Sequence, residues 1–358
     1  MFSGLAMMNK EATTTTIHDV AEVAGVSIST VSRVVNDLGR VAPETRRKVE
    51  SAIRRLNFQP NSRAQALSRK RTDTIGLIVP DFEGHYFAML MEGAHQEAQA
   101  NGVHIMVIKA KESEEKIEAV TRLCSQGRTD GVILMLSDLN YTALYSDVLE
   151  SIGPINSPLV VLDQDVHSWR LDNILLDNRL GAFEATRHFI DTHNVDDVFF
   201  LGGSENNVDT TARALGFSDA LKGTGLEAEQ RQFFCTNYSY DEGYRLAGKN
   251  ILPLIEPQKR YGVVAANDDI AGGVMDFLMD SGIEVPRQAG VIGFDDSPIA
   301  SQRRLKITTM RIPTKEIGRI AVRTILNRLT GKVNEPAKIV LKAELIVRQS
   351  CGCELKKN

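Results

Sequence analysis

Residues 16–36 have the sequence TIHDVAEVAGVSISTVSRVVN, and its spacing predicts two short helices joined by a tight turn. Thr16 is placed to cap the first helix, and Asp19, three positions later, supplies the acidic member of a capping box. Gly25 follows this helix at a position where glycine commonly ends helices. Ser27 is placed to cap the second helix. The stretch therefore predicts a helical hairpin in which hydroxyl side chains define both helix starts.

The second predicted helix has two different faces. Val31 and Val34 lie on an apolar stripe, which leaves Ile28, Ser29 and Arg33 on the opposite side. In a helix-turn-helix, the first residues of the second helix contact base edges in the major groove. A short polar side chain, an apolar side chain and a long forked donor suit that role. An ordinary helical hairpin with a solvated polar face has the same periodicity, so spacing alone leaves both interpretations open.

A longer string of residues favours the DNA-binding interpretation. DVAEVAGVSISTVSRVVN (19–36) and VAPETRRKVESAIRRLNFQPNSRAQAL (41–67) strongly resemble the headpiece of the LacI/GalR family of bacterial transcription regulators. In that family, the residues that match Ile28, Ser29 and Arg33 face the bases. The resemblance also implies residues at or near the phosphates, namely Thr16, Ser27, Thr30, Ser32, Asn36, Arg40 and Thr45.

Residues 60–71, PNSRAQALSRKR, predict a single helical turn followed by a basic linker. So short a helix is marginal in isolation, and we expect it to form only on DNA, beside its twin from a second subunit. In the resembling family this segment is the hinge helix, and the residue that matches Leu67 is a wedge in the minor groove. Asn61 and Ala64 belong to the same matching string and complete the predicted DNA contacts. The alternative is that Leu67 is a linker residue that happens to be apolar.

Composition places the 358-residue chain among globular proteins, with 42% hydrophobic and 25% charged residues. No apolar run approaches the roughly 20 residues needed to span a bilayer, so we do not expect this chain to be a membrane protein. The formal charge of -4 is unevenly distributed, because residues 1–72 hold twelve Lys and Arg against six Asp and Glu. The remainder therefore carries -10. Such a basic N-terminal end is attracted to phosphate.

The four cysteines, Cys124, Cys235, Cys351 and Cys353, lack zinc-finger spacing. The terminal Cys-Gly-Cys is too short a motif to favour metal binding over chance. We therefore expect free thiols in a reducing cytosol, with no metal site and no cofactor.

The opening MFSGLAMMNKEA has none of the features of a secretory signal, which predicts a disordered leader and a cytoplasmic, nucleoid-associated protein.

From Asp73 onward, short apolar runs such as TIGLIVP and GVVAAND alternate with helical segments. Continuous apolar strands joined by helices predict parallel sheets covered on both faces. The resemblance extends over this region and implies a two-lobed, periplasmic-binding-protein-like core, with crossovers near Leu176, Arg311 and Ile339. The predicted fold class is thus α/β, with an all-α helix-turn-helix headpiece before a core of parallel sheets flanked by helices.

The predicted domains follow from this division. The N-terminal part consists of a leader (1–14), the headpiece (15–59) and the hinge helix with its linker (60–71). The core consists of an N-terminal lobe (72–176 and 312–338) and a C-terminal lobe (177–311 and 339–358), and residues 294–311 are the core segment with which the first part of the C-terminal lobe ends. No leucine heptads follow the last predicted strand, so nothing indicates a tetramerisation helix. We expect a two-fold homodimer on a near-palindromic operator, with the helix of residues 88–100 in the interface.

Polar residues end several predicted core strands. In open α/β sheets a ligand lies beyond the carboxyl ends of the strands, and the acceptors there suit the hydroxyls of a sugar-like molecule. Combined with the family resemblance, this predicts an effector site formed by His85, Tyr86, Phe87, Asp163, Arg213, Tyr238, Asn267 and Asp295. The alternatives are ordinary ones: an Asp or Asn at a strand end is commonly a helix cap, and an isolated Arg commonly pairs at the surface. Ile312 departs from the family, many members of which have glutamine there.

The predicted function is an effector-controlled transcriptional repressor, with a sugar, sugar phosphate or nucleoside-like effector. Some family members also use a phosphocarrier protein as corepressor. A transport solute-binding protein would share the two lobes, but it would need a signal peptide and no basic headpiece. An enzyme would need a nucleotide fingerprint or an activated nucleophile, and the sequence contains neither motif, so we expect no catalytic residues.

Overall fold

The computed structural model describes residues 15–36, 39–59, 71–82, 84–137, 157–165, 171–333 and 335–353. The chain forms two compact units, residues 1–72 and 73–358. The predicted leader and the predicted hinge contacts Asn61, Ala64 and Leu67 lie outside the described residues.

The first unit contains three helices, α1 (Ile17–Ala24), α2 (Ile28–Val35) and α3 (Pro43–Arg55). The predicted capping box at Thr16 is confirmed, and Gly25 ends α1 in the left-handed conformation at φ +66°. The Ser27 side chain caps α2, as predicted. Val20, Val31 and Val49, one from each helix, are fully buried and form the centre of a small core. The core of this domain is therefore formed by apolar side chains that recur every three or four residues along its helices.

The second unit contains two six-stranded sheets within the described residues. The first sheet consists of β1 (Thr74–Val79), β2 (His104–Lys109), β3 (Gly131–Met135), β4 (Leu159–Leu162), β5 (Leu171–Leu176) and β11 (Lys338–Leu341). Their spatial order is β11-β5-β4-β3-β1-β2, and all pairings are parallel. Central β3 is buried along its whole length, as the continuous apolar run GVILM predicts.

The second sheet consists of β6 (Asp197–Gly202), β7 (Gln232–Phe234), β8 (Tyr261–Ala265), β9 (Ala289–Asp295), β10 (Thr308–Arg311) and β12 (Glu344–Ile346). Their spatial order is β12-β10-β9-β8-β6-β7. Every pairing is parallel except that of β12 with β10. The predicted α/β fold of two parallel-dominated sheets is therefore confirmed.

Helices cover both sheets. They are α4 (His85–Ala100), α5 (Ser113–Ser125), α6 (Asn178–Arg187), α7 (Val208–Leu221), α8 (Tyr240–Leu246), α9 (Asp268–Asp280), α10 (Pro298–Gln302) and α11 (Thr314–Leu329), with π-helical turns at His188–His193 and Ala247–Ile251 and 3₁₀ turns at Ala228–Gln230 and Leu252–Leu254. Helices α4 and α11 pack with their backbones in contact, because a Cβ on Gly93 would lie 2.0 Å from the Lys315 carbonyl oxygen. None of the helices in the described ranges is both long and apolar enough to cross a membrane.

The chain passes between the two sheets at three places. The first passage follows β5, which ends at Leu176, and the second follows β10, which ends at Arg311. The third lies between Leu341 and Glu344, slightly later than the predicted position at Ile339. The difference arises because residues 338–341 extend the first sheet by pairing with β5 before the chain crosses.

Candidate nucleic-acid interface and ligand cleft

The predicted base-reading residues lie on the solvent side of α2. Ile28 is 41% exposed, and Ser29 and Arg33 are also exposed. The buried Val31 and Val34 lie on the opposite side of the helix and pack in the headpiece core. This face of α2 is therefore available to a partner, with its N-terminal residues outermost.

The hydroxyl residues near the helix starts are already used in local hydrogen bonds. The Ser27 Oγ accepts from the Thr30 backbone N–H at 3.2 Å and lies 2.8 Å from the Ser29 Oγ. At α1, hydrogen bonds from the backbone and the side chain of Thr16 lower the pKa of Asp19. Both caps hold exposed helix N-termini, which are favourable positions for a phosphate.

The other predicted phosphate contacts differ in exposure. Arg40 is exposed, whereas Thr30, Ser32 and Thr45 are half-buried. Asn36 is only 8% exposed and ends α2, where its Nδ2 donates to the Ser32 Oγ at 3.3 Å. The structure thus shows a helix-ending role for Asn36, and its contact with DNA stays a prediction.

In the core, Arg213 is the centre of a polar cluster between the two lobes. It projects from α7 and is 4% exposed. Its Nε donates to the Asn178 Oδ1 at 2.8 Å and its Nη1 to the Ala266 carbonyl oxygen at 2.5 Å. Its Cζ lies 4.5 Å from the centroid of the Phe294 ring. Hydrogen bonds on two sides and an aromatic ring on the third hold the guanidinium in one orientation.

Three carboxyl groups interact electrostatically with this guanidinium, Asp163 from the first lobe and Asp209 and Asp295 from the second. Burial raises the pKa of all three, to about 6 for Asp295, and in each case Arg213 opposes the rise. The Tyr86 hydroxyl donates to the Asp163 Oδ1 at 3.4 Å. The Asp163 Oδ2 is buried and has no hydrogen-bond partner within the described ranges.

Asp163 and Asp295 also share an uncommon backbone conformation. Their φ angles are +71° and +98°, in a region that residues other than glycine rarely adopt. Asp163 directly follows the buried strand β4, and Asp295 ends the buried strand β9. Such strain clusters at ligand sites.

Tyr238 lies beside α7. Its hydroxyl donates to the Asn207 Oδ1 at 2.9 Å and lies 2.5 Å from the Thr210 Oγ1. Its ring covers Gly203, where a Cβ would lie 2.4 Å from the ring. Burial raises the pKa of Tyr238, which therefore presents a neutral, half-buried aromatic ring.

Asn267 is a helix cap, which was the ordinary alternative for a polar residue at a strand end. Its Oδ1 accepts from the Ile270 N–H at 2.9 Å and its Nδ2 donates to the Tyr238 carbonyl oxygen at 3.1 Å. It is 7% exposed. These contacts make Asn267 a support for Tyr238, and a direct contact with a ligand stays a prediction.

His85, Tyr86 and Phe87 begin α4 and are half-buried. The rings of Tyr86 and Phe87 meet edge to face at 5.7 Å between centroids. His85 belongs to the first lobe, yet it lowers the pKa of Asp269 in the second lobe, against the larger raising effect of burial. The first turn of α4 therefore lies close enough to the second lobe for His85 to interact electrostatically with Asp269.

Sequence reasoning missed four residues of the cluster, namely Asn178, Asp209, Thr210 and Phe294. Asp209 had a usable signal, because it precedes Arg213 by four residues on one helix and must share its face. Asn178 had none, since its Nδ2 reaches the Asp209 Oδ1 at 2.8 Å only after α6 and α7 pack together. Ile312, the departure from the family pattern, is 5% exposed and lies in the hydrophobic core.

Family models match both units of the chain. Residues 16–61 match the model described as bacterial regulatory proteins, lacI family. Residues 186–351 match the model described as periplasmic binding protein-like domain.

Curated relatives and solved structures cover nearly the whole chain. The HTH-type transcriptional regulator RegA of Clostridium saccharobutylicum is 32% identical over 94% of this chain and 99% of its own length. The HTH-type transcriptional repressor PurR of Erwinia tasmaniensis is 32% identical over 94% and 96%, respectively. The lac repressor dimer bound to operator and the anti-inducer ONPF aligns with a TM-score of 0.80 at 25% identity, covering 94% of this chain and 99% of that one. The complex of the transcriptional regulator CelR with cellobiose aligns with a TM-score of 0.68 at 28% identity over the same shares.

Proposed function

Since the chain belongs to the lacI family of bacterial transcriptional regulators, we propose that it represses transcription by binding a near-palindromic operator as a dimer, under the control of a sugar-like effector. The solved lac repressor dimer, which holds operator DNA and a small ligand together, supports both halves of this proposal. Such binding would place the protein on the nucleoid.

The headpiece supports the DNA half. The exposed Ile28, Ser29 and Arg33 face one side of α2, and capped helix N-termini lie nearby. We propose that these three residues contact base edges. The other predicted residues of the headpiece and hinge contact the DNA backbone and so fix the position of the protein on the duplex. Before position 73, basic residues outnumber acidic ones. This positive charge attracts the protein to the phosphates of any DNA, whatever its base sequence.

The effector half rests on one observation above the others, the buried Asp163 Oδ2 without a hydrogen-bond partner in the described part of the chain. A buried acceptor left unpaired costs about 1–3 kcal/mol, and a ligand hydroxyl would remove that cost. Arg213 supplies donors beside it, and Tyr238 offers a ring face on which a sugar can stack. The cluster thus has both acceptors and donors for a polyhydroxyl molecule.

Charge favours a neutral sugar over a sugar phosphate. Asp163, Asp209 and Asp295 all interact electrostatically with the one guanidinium of Arg213, so a phosphate bound at Arg213 would be repelled by three carboxyl groups. Neutral hydroxyl groups, in contrast, donate to carboxylates and accept from Arg213. We propose a neutral mono- or disaccharide as the effector. The helix of residues 88–100 as a dimer contact and a phosphocarrier protein as partner stay predictions.

The proposal is tested by titrating the full chain against labelled DNA from upstream of its own gene, at two salt concentrations and with or without candidate ligands. We expect binding to that DNA to exceed binding to random DNA, with about 10³-fold or greater discrimination. A thermal-shift screen should show stabilisation by a neutral sugar and not by its phosphate. Equal affinity for both DNAs would overturn the operator function, and stabilisation by the phosphate alone would overturn the neutral-sugar assignment.

A further inference from the structure

Four metal-ligating side chains meet at the C-terminal end of the chain: His188, His193, Cys351 and Cys353. Their donor atoms all lie within 4.8 Å of one another. The two imidazole Nε2 atoms are 3.2 Å apart. The Cys353 Sγ lies 3.4 Å from the His188 Nε2 and 3.3 Å from the His193 Nε2.

The cluster is separate from the ligand cleft. His188 follows the C-terminal end of the ten-residue helix α6, whose first residue, Asn178, belongs to the cleft. A helix of this length separates its two ends by about 15 Å. The cleft lies beyond the carboxyl ends of the strands, whereas the segment that contains the two histidines leads into the amino end of β6.

A π-helical turn brings the two histidines together. His188 and His193 are five residues apart, which on a regular α-helix would place their side chains about 140° apart. The chain instead forms a π-helix over His188–His193, whose wider turn, closed by i→i+5 hydrogen bonds, brings residue i+5 much closer to the face of residue i. Such widened turns are frequent at functional sites.

The two cysteines are held against the second sheet by the residues before them. The Ser350 carbonyl oxygen accepts from the Val291 N–H at 2.9 Å, and the Ser350 Oγ accepts from the Thr308 N–H at 2.8 Å. Gly352 then adopts φ +93°, a conformation that suits glycine, and turns the chain. Anchored in this way, the Cys-Gly-Cys segment directs both sulfur atoms toward the histidine pair.

We propose that these four residues bind one Zn²⁺ or a similar thiophilic divalent ion. For a tetrahedral ion with Zn–N of about 2.0 Å and Zn–S of about 2.3 Å, the N···N edge is about 3.3 Å and the N···S edge about 3.5 Å. The observed separations of 3.2, 3.3 and 3.4 Å match these edges. Two thiolates and two imidazoles are a common ligand set of zinc in proteins.

Burial indicates a structural site. Cys351 and His193 are 2% and 1% exposed, whereas His188 and Cys353 are half-buried and leave a path from solvent. Four protein ligands complete a tetrahedron and leave no position for substrate, as in structural zinc sites. The ion would tie the chain after β12 to the turn that joins α6 and β6, and so stabilise the second lobe.

The test uses the full chain without an affinity tag, reduced and stripped with a chelator, and then titrated with Co²⁺ or Zn²⁺. We expect one ion per chain and, with Co²⁺, the intense absorption of a thiolate-bound tetrahedral ion. Cys353→Ala and His188→Ala should each lower Zn²⁺ affinity more than about 100-fold, since loss of even an outer-shell partner costs about 10- to 100-fold. Cys124→Ala, the same change at a cysteine in the core of the other lobe, should leave Zn²⁺ binding intact.

The competing explanation is a metal-free cluster held by hydrogen bonds among the same atoms. In that case the stripped protein would take up less than a tenth of an equivalent of ion, or the variants at positions 353 and 188 would bind Zn²⁺ as tightly as the unaltered chain. Either result overturns the proposal. Zn²⁺ should also raise the unfolding temperature of the unaltered chain and of Cys124→Ala, and not that of Cys353→Ala. None of these measurements depends on operator or sugar binding.

Discussion

The DNA-reading face and the ligand cleft are assembled in opposite ways. The face of α2 uses residues that are neighbours along one or two helical turns, so it exists as soon as a short segment folds. The cleft joins residues from seven separate segments of the chain, such as those of Asp163 and Arg213, and exists only when both sheets are complete. The first site can be changed without disturbing a core, whereas every change in the second also acts on buried groups.

The largest effect is expected at the cleft, from Arg213→Ala. It removes the buried hydrogen bonds to Asn178 and Ala266 and the donor for a ligand, and hydrogen bonds to charged groups contribute about 1.5–3 kcal/mol each. Effector affinity measured by calorimetry should fall by about 100-fold or more, with operator affinity in the absence of effector nearly unchanged. Arg179→Ala, which removes an exposed arginine that pairs with Asp219, is the matched control. Retention of full effector affinity by Arg213→Ala would remove this residue from the site.

In the headpiece, Arg33→Ala should cost about 1–3 kcal/mol per subunit in operator binding if the guanidinium contacts a guanine. Binding to random DNA should change little, because the phosphate contacts are kept. Arg46 is a basic residue of α3 and a further candidate for a phosphate contact. Arg46→Ala should instead weaken operator and random DNA alike and reduce the salt slope by about one. Titrations of both DNAs at several salt concentrations distinguish the two variants, and equal losses on both DNAs for Arg33→Ala would contradict its base-reading role.

Asp295→Asn tests the buried charge of the cleft. Burial raises the pKa of Asp295 from 3.8 to about 6, so the folded protein binds this proton more tightly than the unfolded chain does. Stability from this group is therefore present below about pH 4 and is lost as the pH rises to 6, which costs up to about 3 kcal/mol at pH 7. Asp295→Asn should raise the unfolding temperature at pH 7 and not at pH 4.

The control for this prediction is Asp219→Asn. Hydrogen bonds from Lys222 and Arg179 lower the pKa of Asp219, so its carboxylate stabilises the fold at neutral pH and this variant should be less stable at pH 7. If Asp295→Asn is less stable than the unaltered chain at pH 7, the prediction is wrong. Favourable interactions of the Asp295 carboxylate, such as that with Arg213, would then outweigh the cost of its burial.

The smallest effect is expected at the cap of α1. Thr16→Ala should destabilise the headpiece by about 1 kcal/mol, because it removes the side-chain half of the capping box. Thr16→Asp keeps a good cap but places a negative charge beside the DNA, so it should fold normally and bind all DNA more weakly. Normal DNA binding by Thr16→Asp would show that Thr16 is a cap only.

The contrast between local and long-range contacts also explains which elements the sequence predicted correctly. The two helices of the headpiece hairpin and both of their caps were predicted from spacing alone. The short strands β5, β7, β10 and β11 were not recognised as strands. Edge strand β11, for example, alternates exposed and half-buried residues and belongs to the first sheet only through its pairing with β5.

Within the cleft, prediction succeeded where the topology of an open sheet is general. Strand-end residues such as Asp163 and Asp295 must lie at the carboxyl edges of their own sheets, whichever helices cover those sheets. It missed residues whose place depends on side-chain partners, since Asp209 and Asn178 join Arg213 in one cluster only after their helices pack together. Asn267 makes the hydrogen bonds of a helix cap, and its contact with a ligand stays a prediction.

The sequence by itself determined the headpiece, the α/β class of the core and the family, because these depend on contacts within a few turns or on repeated strand and helix patterns. Only the tertiary structure decided which distant side chains meet. Cys353 lies 160 residues from His193 and 165 from His188, and no spacing rule relates them. They come together because a π-turn redirects two histidines and the second sheet holds Ser350 in place, and both depend on packing over the whole lobe.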